Sequence, residues 1–74
     1  MSSTREILAA MTYTEFWARM EKALGPGYYR SWADQQVIGA LDGRTPVEAL
    51  DAGVPPRQVW RAVWEVLGLP DRER

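Results

Sequence analysis

The prolines and glycines between Gly43 and Pro70 restrict this chain more than any other feature, because they mark both ends of two short helices. Thr45 is a good N-cap residue, Pro46 follows at the first helical position, and Glu48 stands three residues after the cap. A threonine hydroxyl there can accept from the third helical N–H while the glutamate reaches back to the cap's own N–H. The spacing predicts a helix over 46–52, ended at Gly53, where a left-handed residue is wanted. Pro55-Pro56 then opens a last helix over 56–67, which stops at Gly68 with Pro70 beyond. The tail, Asp71 to Arg74, is all charged and reads as loose.

The same signals appear upstream. Thr12 and Glu15 have capping-box spacing, with Thr14 as an alternative cap, and Phe16, Met20 and Leu24 recur every fourth residue. That predicts a helix over 14–24, its apolar stripe flanked by Trp17 and Ala23, with Arg19, Glu21 and Lys22 outward and Gly25-Pro26-Gly27 as its stop. Tyr29, Trp32, Ala33, Val37, Ala40 and Leu41 then fall on one face of a helix expected over 28–41, closed by the Asp42-Gly43 turn. Residues 1–10 stand apart as an N-terminal extension. Ser3 and Glu6 have capping spacing, and Ile7, Leu8 and Met11 could line one short helix, but Met11 also reads as an alternative initiator. No stretch alternates as a strand would. The expected fold is all-α: a compact bundle of three main helices (14–24, 28–41, 56–67) plus the short helix 46–52. It forms one domain over 11–70, with its last two helices resembling a helix-turn-helix.

Such a bundle must hold itself together by apolar burial. The 74 residues include no cysteine and no histidine, so neither a disulfide nor the usual zinc staple is available. Four tryptophans, three tyrosines and one phenylalanine take their place, each ring able to bury roughly 150–250 Å². On the last helix, Trp60 sits within the apolar arc of Val59, Val63, Val66 and Leu67, whereas Trp64 falls at its margin beside Arg57 and Arg61. Trp60 is therefore expected in the core. Trp64 either widens the core, its indole N–H finding a backbone acceptor, or edges a working surface.

The stretch from Met11 to Pro70 resembles the actinobacterial domain-of-unknown-function family 3046. The resemblance rests on Met11, Thr14–Trp17, Ser31–Ala33, Gly43–Thr45 and Ala52–Trp60, which stand where that family has Met-x-x-Thr-Glu-Phe-Trp, Ser-x-Ala, Gly-Arg-Thr and Ala-Gly-Val-x-Pro-x-x-Val-Trp. It implies that residues 1–10 precede the usual family start. Family members often carry an acid near position 35, where this chain has Gln35 beside Asp34, so no role for an acid at that position is carried over. The family's genes are often neighbours of those for the recombinase and its regulator in actinobacteria. The resemblance thus implies an association with DNA repair or its control, and no mechanism.

Chemistry is narrowed further by what the chain lacks. Without histidine or cysteine, the commonest general base and thiol nucleophile are missing, and Gly25-Pro26-Gly27 fits no phosphate-loop pattern. Asp42, Glu48 and Asp51 read as a turn, a cap and a solvated face, Ser31 and Thr45 as helix starts. The expectation is no catalytic residue, no metal, no cofactor and no small-molecule substrate. Two binding functions remain. Ala49, Gly53 and Val59 have the small residue, turn glycine and apolar anchor of a helix-turn-helix, and Arg57 and Gln58 open its second helix with side chains of the type that read base edges. However, nine basic residues face ten acidic ones overall, and Arg44, Arg57 and Arg61 are matched by Glu48, Asp51 and Glu65. DNA-binding domains usually carry a basic excess. The favoured reading is a protein-interaction or regulatory adaptor module, with DNA binding as the alternative. The candidate surface is Arg57, Gln58, Arg61 and Trp64, rich in the residue types that dominate interface hot spots. No apolar run approaches the roughly 20 residues a membrane helix needs. The start lacks a signal-peptide pattern, so the cytoplasm is the expected compartment.

Overall fold

A computed structural model describes residues 11–74. The expected extension 1–10, with its candidate helix, lies outside the described residues. Four α-helices follow in order: α1 Tyr13–Leu24, α2 Tyr29–Gln35, α3 Pro46–Asp51 and α4 Pro56–Leu67. Two single 3₁₀ turns, Gly39–Leu41 and Asp71–Glu73, complete the described elements, and among the described residues there is no strand beyond one isolated bridge, Ile38 to Arg44. No helix among them is long and apolar enough to cross a membrane.

The caps form as their residues dictate. At α1 the Glu15 N–H donates to Thr12 Oγ1 and the Thr12 N–H donates to Glu15 Oε1, both at 3.0 Å. At α3 the Glu48 N–H donates to Thr45 Oγ1 at 3.1 Å and the Thr45 N–H to Glu48 Oε1 at 2.9 Å. The end of α3 closes by two further bonds at 3.0 Å each, Gly53 N–H to the Leu50 carbonyl and Val54 N–H to the Ala49 carbonyl. That pair of bonds is the Schellman arrangement, and it places Gly53 at φ 95°. An added Cβ at Gly53 would meet nothing within 4 Å, so the backbone angle alone resists substitution. Gly53→Ala is expected to destabilise by about 1 kcal/mol in denaturant melts; a stabilised variant would mean the turn is not left-handed.

The expected helix over 28–41 is corrected. The helix ends at Gln35, and Gln36 and Ile38 are extended. The Ile38 N–H donates to the Arg44 carbonyl at 3.0 Å and the Gly43 N–H to the Ile38 carbonyl at 3.2 Å. Asp42 (φ 61°) and Gly43 (φ 76°) are both left-handed between them, a conformation that aspartate tolerates better than most residues. The consequence for the core is a swap of residues. A continuous helix would turn Val37 inward, four residues after buried Ala33; instead Val37 is 58% exposed and Ala40 is exposed, while Ile38 and Leu41 are buried. Gly39 and the β-branched pair before it give a helix little support at this point, and the closed loop seats Ile38 and Leu41 in the core.

The core gathers Phe16 and Met20 from α1, Ala33 from α2, Ile38 and Leu41, Ala49 and Leu50 from α3, and Val59, Trp60, Ala62 and Val63 from α4. Trp17, Leu24, Tyr29, Trp32 and Leu67 pack around it at partial burial. Ala23 and Val66, both read as apolar-face residues, are exposed. Val66 lies at the centre of the α4 apolar arc but in its last turn, one residue before the helix ends. Met11 is buried with this core. A chain starting at Met11 is therefore expected to keep its helical circular-dichroism signal and nearly all its melting temperature; a large loss would make residues 1–10 part of the fold.

Candidate functional site

The site begins with the turn between α3 and α4. Ala49 and Val59 are both fully buried, and Gly53 supplies the left-handed residue between them, so the small residue, turn glycine and apolar anchor of the expected spacing all take structural positions. At about 100° per residue, packing Val59, Trp60, Ala62 and Val63 inward turns the opposite side of α4 to solvent. Arg57, Gln58, Arg61 and Glu65 are all exposed there. Trp64 sits at the edge of that face, half-buried against the core.

One flank of this face is occupied by the end of the chain. The Asp71–Glu73 turn lies against α1 and α4, correcting the expectation of a loose tail. The reason is hydrogen bonding. Trp60 is 1% exposed, and a buried indole N–H needs an acceptor; it donates to the Glu73 carbonyl at 2.9 Å. The Trp64 indole donates to the Pro70 carbonyl, also at 2.9 Å. Arg19 Nη1 reaches the Glu73 carbonyl at 3.4 Å, with its guanidinium 5.8 Å from the Trp60 ring centre. Arg57 Nη1 reaches the Arg74 carbonyl at 3.5 Å, Lys22 pairs with Glu73 at 3.7 Å, and the Arg74 guanidinium stands 5.2 Å over the Trp64 ring.

The structure thus brings Arg57, Gln58, Arg61 and Trp64 onto one helix, and it adds residues that sequence reasoning missed. Arg19, read as simply outward, joins the tail to Trp60. The guanidinium over Trp64 is that of Arg74. The available signals were two indoles in need of acceptors and Pro70, which turns the chain back soon after Gly68. A second aromatic cluster lies on the far side of α1. Arg30 stacks 4.2 Å from the Trp17 ring centre, and Trp17 in turn meets Phe16 edge-on at 5.0 Å.

The carboxylates have structural partners where they approach other groups: Glu15 and Glu48 cap helices, and Glu73 pairs with Lys22. Among the described residues no three potential metal ligands converge.

The family model described as "Protein of unknown function (DUF3046)" matches residues 11–72. That is most of the chain, and the chain belongs to this family. The match takes in Asp71 and Arg72, two residues more than the sequence resemblance covers. No curated protein and no solved structure matches the chain.

Proposed function

We propose that this member of the DUF3046 family is a non-catalytic binding module that engages a protein partner through α4, with Arg57, Gln58, Arg61 and the edge of Trp64 as its contact residues. The observation that supports this reading is the exposed arginine-rich face of α4 bordered by the docked chain end. Two guanidiniums and an indole edge, held on a helix whose other side is locked into the core, form a rigid patch of hot-spot residue types. The absence of histidine and cysteine from the sequence supports the non-catalytic part of the reading. A core built on aromatic burial without cysteine suits a reducing compartment, which we take to be the cytoplasm.

DNA binding is the second reading, favoured by the geometry of Ala49, Gly53 and Val59. Two observations weigh against it. Residues 70–74 run along one flank of α4, bonded to Trp64 and Arg57, so a duplex seated on that helix would have to displace them. On the other flank Glu65 is exposed, where it would repel phosphate.

A photo-crosslinking side chain placed at position 61 tests the favoured reading in cells. It is expected to trap one discrete protein partner, and the same side chain at Asp51, on the neighbouring helix, is expected not to. Equal trapping at both positions, or none at 61, contradicts the assignment of α4.

A further inference from the structure

On the other side of the chain end, α1 and the tail enclose a cleft that the α4 surface does not include. Its wall is cationic: Arg19, Lys22 and Arg72 line it together with Glu73. It continues into a neighbouring hollow lined by Lys22, Ala23, Leu69, Pro70, Arg72 and Glu73. The two share Lys22, Arg72 and Glu73, so together they make a shallow groove in which basic side chains stand beside the apolar surface of Ala23, Leu69 and Pro70.

The charges in this groove are unbalanced. Three cations face one carboxylate, and that carboxylate is already engaged by Lys22, whose side chain remains 74% exposed. Arg19 spends one N–H on a backbone carbonyl, which neutralises no charge. Arg72 has no hydrogen bond or ion pair among the described residues and is exposed. Arg19 is held in place by Trp60 and the Glu73 carbonyl, so its guanidinium is positioned before any ligand arrives, which lowers the ordering cost of binding.

We propose that this groove binds an acidic peptide segment of a protein partner, with carboxylates on Arg19, Lys22 and Arg72 and an adjoining apolar side chain on Ala23, Leu69 and Pro70. Planar guanidiniums suit carboxylates, because two N–H groups can reach both oxygens at once. The neighbouring apolar surface adds area that a bare anion could not use. A nucleic acid fits less well. Single strands bind largely by stacking bases on aromatic faces, and here Trp60 is buried while neither hollow is lined by an aromatic ring. The site is separate from the α4 contact residues and does not depend on them.

The test is fluorescence anisotropy with a short labelled peptide of alternating glutamate and leucine, at about 20 mM and about 300 mM salt. Comparison probes of equal length are a glutamate–glycine peptide and a single-stranded DNA. The glutamate–leucine peptide is expected to bind at low salt, to weaken at high salt, and to bind at least about tenfold more tightly than either comparison probe. Arg72→Glu is expected to weaken it by about tenfold or more and Arg72→Gln by less, while Arg61→Glu leaves it unchanged. Arg72 makes no side-chain bond among the described residues, so circular dichroism should be the same for its variants. The proposal is overturned by no binding at low salt, by equal affinity for the glycine peptide, by tighter binding of the DNA, or by an Arg72→Glu variant that binds normally.

Discussion

Replacing Trp60 with alanine is expected to destabilise the protein by about 3–5 kcal/mol. The side chain is 1% exposed and is the largest fully buried one among the described residues. Removing it opens a cavity between α1 and α4, takes away the shorter of the two hydrogen bonds to the Glu73 carbonyl, and removes the ring under the Arg19 guanidinium. A core of this size supplies only about 3–5 kcal/mol in total, so the variant should be largely unfolded at room temperature by circular dichroism. Trp64→Ala provides the contrast. Trp64 is half-buried, and its hydrogen-bond partner, the Pro70 carbonyl, can turn to water. The cost should be well under that of Trp60→Ala, roughly 1–2 kcal/mol. Iodide should likewise reach Trp64 first, so the Trp64→Phe variant should lose more of the quenchable fluorescence than Trp60→Phe. Equal unfolding by the two alanine variants would make Trp64 a core residue and reduce the α4 surface to Arg57, Gln58 and Arg61.

Thr45→Ala is expected to cost up to about 2 kcal/mol, the upper end for loss of an N-cap. Its position explains why the upper end applies. Thr45 is 5% exposed and is the buried polar residue of the described core, so the Glu48 N–H it accepts from cannot be fully rehydrated when the hydroxyl is lost. The other half of the box survives the change, because alanine keeps the backbone N–H that donates to the Glu48 carboxylate at 2.9 Å, so the loss is that of the hydroxyl acceptor alone. Because α3 has only six residues, its cap is a large share of what makes it a helix. Equilibrium denaturation measures the effect directly. A stability change near zero would mean that Thr45 and its neighbour Arg44 serve a surface and not the fold.

These two positions show which parts of the structure were legible. Helix ends depend on local chemistry. Thr12 with Glu15, Thr45 with Glu48, and the positive-φ Gly25, Gly53 and Gly68 each act through bonds to residues a few positions away, so spacing along the chain suffices to find them. The segment 36–44 was not legible, because there two local patterns compete. Ala33 and Val37 have helical spacing, yet Ile38 and Leu41 take the core, in a loop closed by the bridge from Ile38 to Arg44. The chain end is similar. Asp71, Arg72, Glu73 and Arg74 have the composition of a solvated tail, but its backbone carbonyls answer the indoles of Trp60 and Trp64, a demand set across the fold. For the candidate surface, the helix and its outward residues could be placed by periodicity. The contributions of Arg19 and Arg74 could not, since both depend on how the tail folds back.

On the proposed function, α4 binds a protein partner even though the turn before it has helix-turn-helix spacing. The most direct measurement is anisotropy of a labelled mixed-sequence duplex titrated with the full chain at about 50 mM and about 200 mM salt. No binding is expected at the lower salt up to concentrations of about 100 μM, the weak end of the usual non-specific range. Micromolar binding that collapses between the two salt concentrations, and that Arg57→Ala or Arg61→Ala weakens, would contradict the proposed function and assign α4 to DNA.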